Sequence, residues 1–136
     1  VSLDALYPKP LLRLAASAHG AGRLPHPTAT AIRVNPLCGD RITLDLEISD
    51  ERIAAIGYEV KACVLCQAAA SAVAQILPGQ ARAEAASLRA VLKAMLSEGS
   101  QAPAGFDDFQ PVRPYPSRHA CVLLPLDAVI EALERS

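Results

Sequence analysis

Between Thr28 and Lys61 the chain passes through three segments in which apolar and polar residues alternate, joined by links too short for anything but reversals. Thr28 to Val34 is rich in Thr and β-branched residues. Arg41 to Ile48 sets Ile42, Leu44, Leu46 and Ile48 against Thr43, Asp45 and Glu47, and Ile53 to Lys61 brings Ile56, Tyr58 and Val60 together. Period-two alternation puts successive side chains on opposite faces of a strand, so each segment buries one face. Asn35-Pro36-Leu37-Cys38-Gly39-Asp40 separates the first pair and Ser49-Asp50-Glu51-Arg52 the second, and both are made of turn residues. A parallel pair would need a crossover of about a dozen residues or more. The expectation is an antiparallel three-stranded meander.

About four helices should pack with this sheet. Leu3 to Ala18 reads as helix with its front broken by Pro8 and Pro10, and with Leu11, Leu14 and Ala15 on a narrow apolar face. Gly20 to Pro27 reads as loop. Val64 to Leu77 is Ala-rich and helix-prone, and Pro78-Gly79 stops it. Ala81 to Leu96 is amphipathic, with Leu88, Val91, Leu92 and Met95 at helical spacing. Ser97 to Arg118 holds four Pro and two Gly and reads as a long irregular loop, the kind associated with function or mobility. The last helix carries Leu126, Val129, Ile130 and Leu133 on one face, with Pro125 expected in its first turn. The fold class is α+β, in a single domain over residues 1–136 with no internal repeat.

With no Trp, two Phe and three Tyr, the core must be Leu, Ile, Val and Ala. Thirteen basic residues offset fourteen acidic ones, which argues against a nucleic-acid or anionic-membrane partner, since those need a basic stripe. No apolar run approaches the length that spans a bilayer. No signal peptide is legible at the front, which opens on Val1 rather than Met. A cytoplasmic location is expected.

Four cysteines stand at positions 38, 63, 66 and 121. They can be read as two disulfides, as unrelated buried thiols, or as ligands. A core this rich in Leu and Ala needs no staples. The meander has a further consequence: its first turn and the end of its third strand lie at the same end of the sheet, so Cys38, Asp40 and Cys63 share that end. Cys63 opens a helix, and Cys121 lies just before or within the first turn of the last one. A helix N-terminus favours the thiolate, the form that binds metal or attacks sulfur. Three thiolates and one carboxylate suit four-coordinate zinc or cluster iron. Cys63-x-x-Cys66 also admits a thioredoxin-type redox reading, although no βαβ unit accompanies it.

Asn35-Pro36-Leu37-Cys38-Gly39-Asp40 resembles the N-P-x-C-G-D motif of the U-type iron–sulfur cluster assembly scaffold family, the IscU/SufU/NifU group. Lys61-Ala62-Cys63-Val64-Leu65-Cys66-Gln67-Ala68-Ala69 resembles its second motif, G-C-x-I-S-x-A-S. Arg118-His119-Ala120-Cys121-Val122-Leu123-Leu124 resembles its third, R-x-x-C-x-x-L. The order of helix, three strands and helices is also similar, and the resemblance spans nearly the whole chain. It implies that Cys38, Cys63 and Cys121 are the cysteine ligands and Asp40 the acidic one. Arg118 in place, Ala120 rather than His before the third cysteine, and the long loop ahead of it resemble the SufU branch. The chain departs from the pattern at Ala62 and Val60, where the family has glycines, and at Cys66 and Ala69, where it has serines.

The resemblance implies a non-enzymatic scaffold that takes sulfur from a cysteine desulfurase, holds iron or zinc, and passes a transient [2Fe–2S] cluster to acceptor proteins. An alternative it implies is a zinc-dependent sulfurtransferase, with Cys121 as the sulfur acceptor. A third reading is a structural zinc domain that binds a partner. His119 is either a ligand that swaps in beside Cys121 or a polar residue at a helix entrance. Lys61 and Arg118 are either charges that favour thiolates and persulfide or ordinary surface charges.

Overall fold

A computed structural model describes residues 8–36 and 39–136. Strands β1 (Ala29–Asn35), β2 (Asp40–Ser49) and β3 (Arg52–Lys61) form an antiparallel sheet in the order β1-β2-β3. Leu44 pairs with Ala31 on one side and Tyr58 on the other, and Leu46 pairs with Ala29 and Ile56. Directly opposed residues share a face, and the face carrying Ala31, Ile42, Leu44, Leu46, Ile56 and Tyr58 is buried. The β2–β3 turn is a two-residue reversal with Asp50 and Glu51 both at positive φ, the twist that suits a hairpin. Pairing passes from Glu47–Ala55 to Ile48–Ile53, which leaves Ala54 as the extra residue of a bulge. The bulge turns Ile53 inward with Ile56, against strict alternation.

Four helices follow among the described residues: α1 (Lys9–Ser17), α2 (Val64–Ile76), α3 (Glu84–Glu98) and α4 (His119–Glu134). Helix α4 packs on β1 and β2, α2 packs on β3 and α4, α1 on α2, and α3 on α4. Alanines at positions 68, 69, 70, 72 and 74 are all buried in α2, and their small size lets neighbouring elements approach it closely. No described helix is long and apolar enough to cross a membrane.

Two sequence expectations need correction. Pro8 is the N-cap of α1 and Pro10 lies in its first turn, where proline is tolerated. The expected front of that helix, Leu3 to Tyr7, lies outside the described residues. Pro125 sits inside α4, because that helix begins at His119. Lacking an N–H, Pro125 gives the Cys121 carbonyl no helical hydrogen bond. The stretch from Ser97 to Arg118 is an ordered cover holding two 3₁₀ turns, Asp107–Val112 and Pro116–Arg118. Phe106, Phe109 and Val112 are fully buried. Three-residue spacing puts them on one side of a 3₁₀ turn, so a segment poor in apolar residues still presents a continuous apolar edge.

The other face of the sheet is partly covered as well. The loop after α1 crosses it, with Gly22 N–H donating to the Tyr58 carbonyl at 2.7 Å. Gly57 is required there, since a Cβ would fall 2.5 Å from the Gly22 carbonyl oxygen. Asp45, which alternation assigns to the polar side, is wholly buried under this loop. Its carboxylate accepts hydrogen bonds from Arg23 Nε and Nη2, Leu24 N and Thr30 Oγ1.

Candidate metal centre

Asn35 and Asp40 are register partners at the ends of β1 and β2, so the first hairpin closes with both side chains on the helix-covered face. Both are buried, Asn35 to 6% exposure and Asp40 to 1%. Cys63 follows β3 and is the N-cap of α2. Cys121 is the third residue of α4 and is fully buried. The docking of α4 on β1 and β2 carries this thiol to the hairpin end. One ligand atom each from Asp40, Cys63 and Cys121 lies within 4.8 Å of the others. The fourth sequence candidate, Cys38, lies outside the described residues.

The contacts within this group are specific. Asp40 Oδ1 accepts the Cys63 N–H at 3.0 Å, and Oδ2 lies 3.7 Å from Cys63 Sγ. Asn35 Nδ2 donates toward Cys121 Sγ at 3.7 Å. Asn35 was missed as a site residue in the sequence, although it opens the motif that carries Cys38 and Asp40. Cys63 is half-buried and borders an open depression of about 800 Å³ lined by Gly39, Asp40, Lys61, Ala62, Ser117 and Arg118. Of the two cysteine sulfurs in the group, that of Cys63 is the one an incoming reagent meets.

The neighbouring Cys121 thiol is the main cause that pulls the Cys63 pKa down to about 7. The N–H groups of Cys66 and Leu65 at the start of α2 act the same way, against burial and the Asp40 charge. Cys66 is different. Burial pushes its thiol well up, with Asp40 and Cys63 adding to the effect. It is wholly buried and stands outside the donor group. His119 is not aimed at the site: its Nε2 lies 3.0 Å from the Arg113 carbonyl and 3.3 Å from that of Val112, which ties the 3₁₀ cover to the start of α4.

The donor set fits a thiophilic metal. Donors around a tetrahedral ion with bonds of roughly 2.3 Å stand about 3.7 Å apart, and Cys63 Sγ and Asp40 Oδ2 are separated by 3.7 Å. Two sulfurs and a carboxylate oxygen on two helix starts and a strand end offer borderline-soft coordination, suited to zinc or to cluster iron. Asn35 steadies the Cys121 sulfur from behind, as outer-shell partners do in metal sites.

Comparison with known proteins bears on this geometry. The curated iron-sulfur cluster assembly scaffold protein IscU of Thermotoga maritima is 29% identical over 138 residues, covering 96% of this chain and 94% of that protein. The IscU of Streptococcus pyogenes serotype M1 is 28% identical over 107 residues, covering 75% of this chain and 67% of its own length. Among solved structures, the N-terminal NifU-like protein of Brucella abortus superposes with a TM-score of 0.91 at 35% identity, covering 98% of this chain and 95% of that one. FiSufU from Fervidobacterium islandicum AW-1 shares the fold, with a TM-score of 0.88 at 21% identity over 97% of this chain and 99% of that one. The family model for the NifU-like N terminal domain matches residues 7–105, which takes in the meander, the first hairpin and Cys63, and the chain belongs to that family.

Proposed function

We propose that this protein is a scaffold for iron–sulfur cluster assembly, in which Cys38, Asp40, Cys63 and Cys121 hold iron or zinc and a transient [2Fe–2S] cluster. The observation that carries the reading is the convergence of Asp40, Cys63 and Cys121 within 4.8 Å, from a strand end and two helix starts. The fourth ligand, Cys38, comes from the family motif, in which it stands two residues before Asp40. The IscU relatives support the cluster assignment. A cysteine desulfurase as sulfur source and cluster acceptors as recipients complete the role.

The test is metal, iron and acid-labile sulfide content after anaerobic purification and reconstitution. The parent should hold one site's worth of metal or cluster, and Cys38→Ser, Cys63→Ser and Cys121→Ser should each lose most of it. Undiminished content in Cys63→Ser and Cys121→Ser would overturn the assignment.

One observation favours a second reading, a zinc-dependent sulfurtransferase. The Cys63 thiol opens onto the depression with a pKa near neutrality, as a sulfur acceptor requires. Cys121, the acceptor expected from the sequence, is fully buried. Persulfide on Cys63 after incubation with a desulfurase and cysteine supports this reading.

A further inference from the structure

Cys66 has no part in the donor group, yet it stands one helical turn from the exposed sulfur of that group. Cys63 is the N-cap of α2 in extended backbone conformation, and Cys66 is the third residue of the helix. This is the relation in which a capping side chain reaches back over the first turn. Side chains in a helix tilt toward its N-terminus, so Cys66 leans toward Cys63. Residues three apart have Cα atoms roughly 5 Å apart by helix geometry, within the span of about 4.4–6.8 Å that a disulfide bridges. Cys66 is fully buried, so bulky external reagents cannot reach it and Cys63 is its neighbour within the first turn.

We propose that Cys66 is a resolving thiol that releases sulfide from a persulfide carried on Cys63. The proposal rests on the sulfur-accepting reading of Cys63. The Cys66 sulfur attacks the inner sulfur of the Cys63 persulfide. A Cys66 Sγ–Cys63 Sγ bond forms and the bond from Cys63 Sγ to the terminal sulfur breaks. The two cysteine sulfurs are oxidised to a disulfide, and the terminal sulfane sulfur is reduced to sulfide, taking the Cys66 proton as it leaves. The two electrons that convert sulfane sulfur to sulfide thus come from the protein itself. A dithiol reductant then reopens the disulfide, taking up its oxidation. While the disulfide stands, Cys63 is withdrawn from the donor group, so sulfur release and metal holding alternate on one side chain.

The experiment loads the reduced chain with a limiting amount of inorganic tetrasulfide, removes excess reagent, and follows sulfide release without added reductant. Trypsin leaves Cys63 and Cys66 in one peptide, Ala62–Arg82, whose mass reports the outcome. In the parent, sulfide should be released in step with the loss of two hydrogens from this peptide. In Cys66→Ser, and in Cys66→Ala as the better-packing variant, release should fall to background, with the extra sulfur retained on Cys63. Equal persistence of the persulfide in parent and variants would overturn the resolving role while leaving Cys63 as acceptor. A bridge from Cys63 to Cys121 in the parent would also overturn it. Absence of persulfide on Cys63 in all three proteins would overturn the sulfur-accepting reading and the proposal with it.

Discussion

Asp40 is bound to Cys63 twice, once through the backbone amide and once beside the sulfur. A carboxylate oxygen is a harder ligand than thiolate and suits cluster iron less well, and Gly39, at positive φ, precedes it in the turn. Asp40 is therefore the expected release corner of the site. Asp40→Ala should hold its cluster and slow handover to an acceptor several-fold. That change also strips the Cys63 N–H of its acceptor, so Asp40→Asn is the informative companion: it keeps an oxygen for the amide and removes the charge. Cluster-transfer rates from reconstituted proteins under anaerobic conditions check this, and unchanged or faster transfer from both variants would show that release happens elsewhere. Cys66→Ser, which removes no member of the donor group, should keep the parent's metal content.

At the scale of elements, the loop after α1 is fastened to the outer face of the sheet by Asp45. Burial opposes the charge on Asp45, but the Arg23, Thr30 and Leu24 hydrogen bonds outweigh it and hold the carboxyl below its ordinary value. A carboxyl with a lowered folded-state pKa adds stability above its unfolded value and loses it as pH falls through the folded one. The clamp is thus complete at neutral pH and weakens only in acid. Asp45→Ala should cost roughly 1–3 kcal/mol by leaving buried donors unsatisfied, and the deficit should shrink in urea titrations as the parent is taken below about pH 4. An unchanged midpoint at neutral pH would show that solvent replaces the lost acceptor.

Asp45 also shows where the sequence is legible and where it is not. Alternation across β2 and β3 is a local signal, and it reveals the meander and the shared end of the sheet. It separates the two faces of a strand, but it cannot say that a distant loop will lie over the polar one. Ile53 is the same case, since one extra residue in a bulge shifts the alternation behind it. The start of α4 and the buried edge at Phe106, Phe109 and Val112 were hidden because Pro and Gly dominate the surrounding composition. At the site, Asp40 and Cys63 follow from strand topology, whereas the approach of Cys121 depends on helix docking that no local pattern encodes.

Across the whole molecule, the 3₁₀ cover is tied to the helix that carries Cys121. The Phe106 and Phe109 rings lie 5.3 Å apart in the core, and His119 joins the cover to the first turn of α4, two residues before Cys121. Phe109→Ala should destabilise the fold by about 3–5 kcal/mol and also loosen the seating of Cys121. Its metal affinity should fall more than that of an equally destabilised variant at Ile53, at the far hairpin. Matching affinities in the two variants would show that the cover does not position the helix.

The donors arrive from widely separated parts of the chain, and Cys121 belongs to the last helix. Synthesis proceeds from the N-terminus, so an emerging polypeptide exposes Asp40 and Cys63 long before their third companion leaves the ribosome. Such a chain owns two of the gathered donors and lacks the pocket that unites them. The donor group thus comes together only after α4 has been made, and a copy that stops short of that helix lacks one of the gathered donors.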